Sequence, residues 1–461
     1  MKVIYDKIAC PVKHTGYVPV PLTQQTMLEH REKIMQKMQA QNLDVLMVYA
    51  DREHGANYAY LTGFEPRFEE AVLVLHKDGT CYLMFGNENL KMVRYSFIPA
   101  TAIHIPHFSL PNQPMETEKT IEEIFQSAGI ANGQIIGCVG WKCFTSRLDD
   151  NDALIDIPAF IVDAVRRINP DGKLRHAAGI FLDPVDGARI VMNANEVAHY
   201  EYGAGLASAC VMDVLEAVEP GKTELELGAL LAPDGQLNNV TTICATGERF
   251  TDAVVFPRNK KVVLGDKFSV TLGLRGGLTS RAAYVVNSEA ELPEDVRDYM
   301  DKVVCPYFKA AVTWYETVGI GVSGQQVYDA IQAVLPKEKH NWMLNPGHYV
   351  GQDEWVASPV FPGSTAVLES GMLLQMDILP SVPGYGSANA EDGIAIADEA
   401  LRKELAEKYP DTWIRIQTRR AYMKEVLNIQ LKDEILPLSD TCGYLRPYLL
   451  NRTAAMKKAE I

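Results

Sequence analysis

Three side chains that could move protons stand in separate segments of the second half of the chain. They are His348 in NPGHYVGQDEW, Asp377 in LLQMDIL and Glu391 in ANAEDGIAI. An imidazole titrates near neutral pH and can act as a general base when a carboxylate orients it. A charged aspartate inside an apolar run needs a partner, because an isolated buried charge is costly. We therefore predict a catalytic role for these residues; a hydrogen-bonded core histidine and a structural ion pair are the alternatives.

Other residue types that bind ligands lie close to these segments. Glu391 is followed by Asp392, and we expect one of the two to face a pocket and the other to face solvent. Glu354 and Trp355, in QDEWVASP, are expected on the rim, where the indole can stack on a planar or cationic ligand. Tyr284 offers a hydroxyl to the same pocket. An ordinary acidic loop and a tyrosine of the core are the alternatives.

Length, charge and apolar patterning limit the class of protein. A chain of 461 residues exceeds one compact core, so two domains are expected. A net charge of −15 argues against nucleic acid or a membrane as partner and favours a small-molecule substrate. The start does not resemble a signal peptide, and no run reaches the roughly 18 apolar residues of a membrane span, so a cytoplasmic location is predicted. The eight cysteines form no CxxC pair, which favours reduced thiols.

The apolar pattern of the first part of the chain alternates between helix and strand. It predicts a helix over 27–43, a buried strand over 44–49, a hairpin over 71–85 and a strand over 135–140. This succession is typical of a layered α/β (α+β) domain.

Two turn clusters, NPDG and DPVDG, predict a domain boundary between Asn169 and Gly187. We therefore predict a first domain over 1–187 and a second over 188–400. Residues 401–461 are expected to form an extension packed on the second domain.

The second domain contains a weak internal sequence repeat. Residues 218–231 and 318–335 each have a glycine turn, a Thr or Ser that could cap a helix, and an amphipathic helix. The domain is therefore expected to consist of two similar halves with a site between them; coincidence of common helix-start signals is the alternative.

Four segments of the second domain carry a family resemblance. They are the helix from Asn195 with its EPGKTELE end, the stretch CATGERF to GDKF, NPGHYVGQDEW, and the pair LESGMLLQMDILP and ANAEDGIAI. Together they resemble the pita-bread family that includes methionine aminopeptidase, Xaa-Pro aminopeptidase, prolidase and creatinase. The resemblance covers about 190–400, and the first domain looks like the creatinase/prolidase amino-terminal domain. It implies a pseudo-two-fold pita-bread fold for the second domain.

In the peptidases of that family, two aspartates, a histidine and two glutamates hold a pair of divalent metals. Carried over by position, the resemblance puts the histidine on His348, the first glutamate on Asp377 and the second on Glu391. These would be the ligands of any metal that is bound.

The other family positions carry different residue types in this chain. The first aspartate falls on Thr271, and the second falls on Arg281 or Ala282, depending on the alignment of the shortened RGGLTS turn. The place of a substrate-handling histidine is taken by Val254. Two ligands and one imidazole of the family pattern are therefore missing.

The charges of the remaining residues limit how many metal ions this site could hold. A two-metal site brings about four positive charges and needs several carboxylates. If Arg281 points inward, its guanidinium would repel a cation and pair with Asp377 or Glu391 instead. No cofactor is therefore expected; the alternative is one divalent ion (Mn, Fe, Co or Zn).

The resemblance to creatinase implies that this scaffold can cleave a C–N bond without a metal. The first hypothesis is therefore a metal-independent hydrolase or lyase for a small amino-acid-derived or guanidino-type substrate, with Arg281, Glu354, Trp355 and Tyr284 binding that substrate. A single-metal Xaa-Pro aminopeptidase-like metallopeptidase is the second hypothesis. A non-catalytic binding protein that has kept the fold is the third.

The first domain contributes one further candidate. Arg67, in GFEPRFEEAV, precedes a predicted strand. The resemblance implies that this loop can reach the partner subunit's pocket in a homodimer; a surface arginine is the alternative.

Overall fold

The computed structural model of the protein describes residues 1–113, 115, 117–251 and 256–460. Helices and strands are mixed throughout, which confirms the predicted α/β (α+β) class. Residues 22–189 form one compact unit, and residues 1–21 with 190–461 form the other. The units differ from the predicted domain limits at the amino terminus, because the first 21 residues group with the second half of the chain. None of the helices in the described part has the length and apolar composition of a bilayer span.

The strands, numbered in chain order, are β1 (Val3–Lys7), β2 (Val45–Ala50), β3 (Ala71–His76), β4 (Cys81–Phe85), β5 (Thr101–His104), β6 (Ile135–Val139), β7 (Lys173–His176), β8 (Ile243–Thr246), β9 (Lys267–Leu274), β10 (Gly277–Tyr284), β11 (His348–Tyr349), β12 (Leu373–Met376), β13 (Asn389–Ile396), β14 (Ile435–Pro437) and β15 (Ala454–Lys458). The α-helices are α1 (Gln24–Ala40), α2 (Ala56–Thr62), α3 (Ile121–Ser127), α4 (Ala159–Ile168), α5 (Gly179–Leu182), α6 (Ala194–Ala217), α7 (Glu224–Gly228), α8 (Cys305–Thr317), α9 (Gly324–Val334), α10 (Lys337–His340), α11 (Glu399–Lys408) and α12 (Pro410–Ala421).

The unit of residues 22–189 is built on a mixed six-stranded sheet. Its strand order is β5-β4-β3-β2-β6-β7, and β2, β6 and β7 are parallel neighbours. The central strands β2, β3, β4 and β6 are mainly apolar runs without alternation, as expected where a sheet is covered on both faces. Helices α3 and α4 pack on each other and share an apolar core with the central strands.

The other unit contains a seven-stranded sheet. Six strands follow the order β11-β12-β13-β10-β9-β8, and β14 pairs with β13. Helix α6 packs along β9 and β10 and begins at a capping box, in which the side chains of Asn193 and Glu196 bond each other's backbone N–H groups. The residues that bear on function stand on β9 to β13.

Both helix starts of the predicted internal sequence repeat are present. Thr223 caps α7 with Glu226 as its partner, and Ser323 caps α9 with Gln326 in the same arrangement. The first helix is shorter than the pattern predicted, since α7 ends at Gly228.

The two chain termini meet in the same unit. Strand β1 pairs antiparallel with β15, and β14 extends the seven-stranded sheet at β13. The C-terminal segment is therefore hydrogen-bonded into this unit.

Candidate functional site

Three adjacent strands bring the separated acids and the histidine together. His348 begins β11 and lies opposite Gln375 of β12, while Asp377 follows directly after β12. Glu391 stands on β13, where Asp392 lies opposite Met376. Side chains that are two residues apart on a strand share a face. The antiparallel register therefore points His348, Asp377 and Glu391 to one side of the sheet.

The three side chains form a compact and buried cluster. One donor atom from each of His348, Asp377 and Glu391 lies within 4.8 Å of the other two. Nε2 of His348 is 3.9 Å from Oδ2 of Asp377. Nε2 of His348 and Oδ1 of Asp377 are buried, and neither makes a well-aligned hydrogen bond in the described chain, although Oε1 of Glu354 lies 3.2 Å from Nε2. Buried polar atoms are nearly always satisfied, so these two atoms call for a ligand or water.

A backbone bond sets the orientation of the imidazole. Nδ1 of His348 lies 3.1 Å from the carbonyl oxygen of Tyr349 and donates to it, because a carbonyl can only accept. The neutral ring then carries its lone pair on Nε2, the atom that faces the acids. This is the arrangement that orients metal-binding histidines through their second nitrogen.

The acids of the cluster resist ionisation. Burial raises the pKa of Asp377 to about 7, with His348 opposing and Glu354 adding to the effect. Burial, followed by the carboxylates of Asp377 and Glu354, raises the pKa of Glu391 well above its usual value. Burial disfavours a charged His348, but the nearby carboxylates of Glu354 and Asp377 outweigh it and its pKa is raised. Within the described chain, no lysine or arginine forms an ion pair with these acids. The acids of the cluster therefore have His348, but no lysine or arginine, beside them.

The rim residues lie against the histidine. Oε1 of Glu354 is 3.2 Å from Nε2 of His348, and its side chain is 19% exposed. The indole of Trp355 stacks on the imidazole, with ring centroids 4.1 Å apart and an angle of 20° between the planes. Trp355 remains 39% exposed. The predicted rim position of both residues agrees with this geometry, but the indole already has a stacking partner within the protein.

Two hydroxyl side chains lie on the face of the sheet that carries Glu391. Thr271 lies opposite Ser280 on the paired strands, and their hydroxyl oxygens are 2.7 Å apart. Ser280 also lies opposite Glu391, so all three side chains share one face of the sheet. Nδ2 of Asn389 donates to the Ser280 hydroxyl at 3.0 Å. Ser280, and not Arg281, therefore shares the face of Thr271 and Glu391. Ala282 lies two residues further along on that same face, and which residue takes the second aspartate position stays a prediction.

The turn between β9 and β10 sets this register. Leu274 pairs with Gly277, so only Arg275 and Gly276 form the loop. Gly276 has a φ of +110°, and a Cβ there would lie 2.0 Å from the Tyr200 carbonyl oxygen, so the tight turn requires glycine. Counting outward from a two-residue loop would have placed Ser280 opposite Thr271. Sequence reasoning missed both Ser280 and Asn389.

Arg281 points to the opposite face of the sheet. Its guanidinium bonds Oδ2 of Asp392 at 2.6 Å and also donates to the carbonyl oxygens of Tyr444, Thr441, Ser280 and Glu391. The predicted pairing of Arg281 with Asp377 or Glu391 is wrong, because adjacent residues of a strand face opposite sides. The expectation that the second acid of the Glu391-Asp392 pair faces solvent is also wrong, since Asp392 is fully buried.

The remaining predicted residues lie outside the cluster. Tyr284 is buried, its ring packs edge-on against Tyr299, and its hydroxyl accepts a hydrogen bond from the Gly386 amide. Arg67 is exposed in the unit of residues 22–189, with its guanidinium 5.0 Å from the Phe68 ring centre. Its role in a partner subunit's pocket stays a prediction. Val254 lies outside the described residues.

The donor set fits one divalent cation better than two. Nitrogen and carboxylate oxygen donors of His348, Asp377 and Glu391 are ligands that first-row divalent metals accept, and three protein ligands plus water suffice in many sites. The hydroxyls of Thr271 and Ser280 are bonded to each other and carry no charge to offset a second cation. The site can therefore hold one cation, or move a proton through His348.

Family comparisons agree with the fold and with the order of these elements. Residues 198–401 match the family described as metallopeptidase family M24, and residues 30–138 match the creatinase/prolidase N-terminal domain. Residues 198–401 thus belong to the M24 pita-bread family, and the residues before them carry the creatinase/prolidase-type amino-terminal domain. The family assignment made from the sequence is thus confirmed. A search of curated proteins finds no significant match.

Solved structures show the same architecture at low sequence identity. The prolidase from Pyrococcus horikoshii OT3 is 17% identical with a TM-score of 0.62, over 80% of this chain and 95% of that one. The Xaa-Pro dipeptidase from Bacillus anthracis is 16% identical with a TM-score of 0.61, over 81% and 96%. The X-Pro aminopeptidase from Thermotoga maritima MSB8 is 13% identical with a TM-score of 0.59, over 80% and 95%. At these identities the likeness establishes the shared fold.

Proposed function

We propose that this protein is a hydrolase that cleaves an amide-type C–N bond in a small substrate and holds one divalent cation on His348, Asp377 and Glu391. The proposal rests on the three buried donors within 4.8 Å of one another. Within the described chain, Oδ1 of Asp377 has no hydrogen-bond partner, and Nε2 of His348 has only the 3.2 Å contact with Glu354. Leaving such atoms unsatisfied is costly, and a cation would also offset the mutual repulsion of the acids.

The position of Arg281 changes the preference between metal-free and metal-dependent chemistry. Metal-free chemistry was favoured from the sequence because a guanidinium in the pocket would repel a cation. Arg281 is instead bound to Asp392, so that objection no longer applies. Manganese, iron, cobalt and zinc all suit an imidazole and two carboxylates.

Metal binding and proton transfer are assigned to different residues of the chain. When bound, the cation would polarise the scissile carbonyl and favour deprotonation of a water molecule. The Tyr349 carbonyl holds Nδ1 of His348 and so presents Nε2, while Asp377 and Glu391 supply negative charge. We assign proton transfer to Glu354, which lies beside His348 and is partly exposed. Its carboxylate takes the proton of the attacking water and passes it to the leaving amine as the C–N bond breaks.

Xaa-Pro dipeptides are the first substrates to test, because the names of the neighbouring structures include prolidase and Xaa-Pro dipeptidase. Creatine-type guanidino compounds are the second group, from the resemblance to creatinase. Within this proposal Trp355 and Glu354 border the substrate, and Arg67 reaches it from a partner subunit in a homodimer.

Metal analysis of protein purified without chelator tests the proposal directly. We expect about one equivalent of a divalent metal per chain, and loss of metal and hydrolysis together in Asp377→Asn and Glu391→Gln. Asp301→Asn, which changes an exposed acid, is the matched control and should keep both. Metal that stays at full occupancy in both site variants would overturn the assignment of the ligands.

A second candidate is metal-free hydrolysis with His348 as the acid-base group. The 3.2 Å contact with Glu354 favours it, because a carboxylate at this distance can orient the imidazole. This candidate predicts full turnover after dialysis against chelator and loss of turnover in His348→Ala. Turnover that returns only when metal is added back would exclude it.

A further inference from the structure

The unit of residues 22–189 contains a second group of ligand-type side chains, far along the chain from His348. Strands β2, β6 and β7 are parallel neighbours, so their carboxyl ends meet at one edge of the sheet. Cys143 follows the end of β6, and His176 is the last residue of β7. In sheets with parallel strands, ligands commonly bind in the crevice outside these carboxyl ends.

Asp156 is held against this edge by the backbone. Its Oδ2 accepts hydrogen bonds from the amides of Trp141 at 2.8 Å and Lys142 at 2.7 Å. A Cβ on Gly140 would lie 2.4–2.5 Å from the carboxyl atoms of Asp156, so the approach depends on glycine at the end of β6. The other oxygen, Oδ1, is buried and has no partner in the described chain.

His176 faces that free oxygen. Its Nδ1 lies 3.8 Å from Oδ1 of Asp156, and the two side chains are only 7% and 10% exposed. Neither ring nitrogen of His176 has a hydrogen-bond partner among the described residues, and the Lys142 backbone lies beside the ring but outside hydrogen-bonding geometry. The Phe144 ring covers the imidazole at a centroid distance of 5.0 Å. Three polar atoms in a nearly closed space are thus left unsatisfied.

The distance between His176 and Asp156 limits which ligand can bind between them. A separation of 3.8 Å admits one atom between the two side chains, not an organic molecule. A transition-metal ion that bonds His N and Asp O at about 2.0–2.1 Å spans such a gap with a small adjustment. A water molecule that bridges the two atoms is the competing occupant.

The thiol of Cys143 lies within electrostatic range of Asp156. Cys143 is partly buried, and burial followed by the carboxylates of Asp183 and Asp156 raises the pKa of its thiol. It therefore stays protonated near neutral pH in the absence of a cation. Within the described chain, one group of three metal-type donors lies within 4.8 Å, and it is the His348 cluster. Cys143 must therefore move toward the other two side chains to complete a site.

We propose that His176 and Asp156 are two preformed ligands of a second, zinc-type metal site, and that Cys143 becomes its third ligand on binding. In that step the S–H bond of Cys143 breaks, its proton passes to the buffer, and the sulfur lone pair forms the bond to the metal. No electron is transferred. Imidazole, carboxylate and thiolate together favour zinc or cobalt over calcium or magnesium.

Cobalt(II) titration of full-length His348→Ala protein tests this site apart from the proposed hydrolytic one. We expect about one equivalent of cobalt(II) per chain, with a thiolate-to-cobalt charge-transfer band and release of one proton. Cys143→Ser should abolish the band, whereas Cys10→Ser, which changes an exposed cysteine, should keep it. Asp156→Asn and His176→Ala should weaken binding by about tenfold or more.

The outcomes separate the alternatives. Asp156→Asn keeps the shape of the side chain, so it serves if His176→Ala fails to fold, and circular dichroism reports folding in each case. Absence of cobalt(II) binding in the His348→Ala protein would overturn the proposal and leave a bridging water at this place. Binding that is unchanged in both Asp156→Asn and Cys143→Ser would also overturn it, because the metal would then be on the surface.

Discussion

Two acids that are neighbours on strand β13 have opposite surroundings. Asp392 bonds the guanidinium of Arg281 and the hydroxyls of Thr279 and Thr441. Glu391 faces Asp377 across the strands and has no lysine or arginine beside it in the described chain. One face of the sheet therefore satisfies its buried charge with protein groups, and the other leaves it open to a ligand. We infer that the first face stabilises the fold and that the second serves function.

The largest effect on stability is expected when the ion pair between Arg281 and Asp392 is removed. Arg281→Met leaves Asp392 buried without its partner, so we expect the free energy of unfolding to fall by about 3–5 kcal/mol. Urea denaturation measures the change. Arg297→Met, at an exposed arginine, is the matched control and should stay within about 0.5 kcal/mol of the parent protein. Equal costs for the two variants would show that the Arg281 pair does not hold the fold.

The open face, which carries His348, Asp377 and Glu391, predicts an unusual pH dependence of the free energy of unfolding for protein stripped of divalent metal. The pKa of Asp377 is about 7 in the folded state, above the roughly 3.9 of an unfolded aspartate. Between these values the folded state keeps a proton that the unfolded state has lost, so stability falls as the pH rises. The slope from this group reaches at most about 1.4 kcal/mol per pH unit. The raised pKa of His348 and Glu391 acts in the same direction.

Urea denaturation at a series of pH values from 4 to 7 measures this slope. Asp377→Asn should make it shallower, whereas Asp301→Asn, at an exposed position, should leave it unchanged. An equal slope in the parent protein and in Asp377→Asn would contradict the assignment of the proton to this cluster.

The register of β9 and β10 leads to a gain-of-function test. Thr271→Asp combined with Ser280→Asp puts two carboxylates on the open face, and we expect metal content to rise from about one to about two equivalents per chain. Thr271→Asp combined with Arg281→Asp puts its second carboxylate on the other face and should not add a metal. A second equivalent in the Arg281 variant alone would contradict the register.

The smallest expected effect is at the rim. Trp355→Ala removes the indole that stacks on His348 while most of the cluster stays in place. We expect KM to rise by about tenfold, equivalent to about 1.4 kcal/mol, with little change in kcat. Trp355→Phe keeps an aromatic ring and should restore much of the loss. A fall in kcat with unchanged KM would instead mean that Trp355 positions the imidazole.

Much of the fold could be read from the sequence, because its signals are local. The caps at Thr223 and Ser323 and the apolar runs of the six-stranded sheet are patterns of neighbouring residues. The pita-bread assignment came from the order of short motifs. The absence of acidic residues between Lys267 and Tyr284 was also visible without a structure.

The hairpin of β9 and β10 shows what the sequence did not determine. The sequence by itself determined the family, the mixed fold and the set of His348, Asp377 and Glu391. Only the tertiary structure decided that Ser280, not Arg281, shares their face, and that Arg281 belongs to Asp392. The physical reason is the two-residue period of a strand: a shift of one position in the turn moves every following side chain to the other side of the sheet.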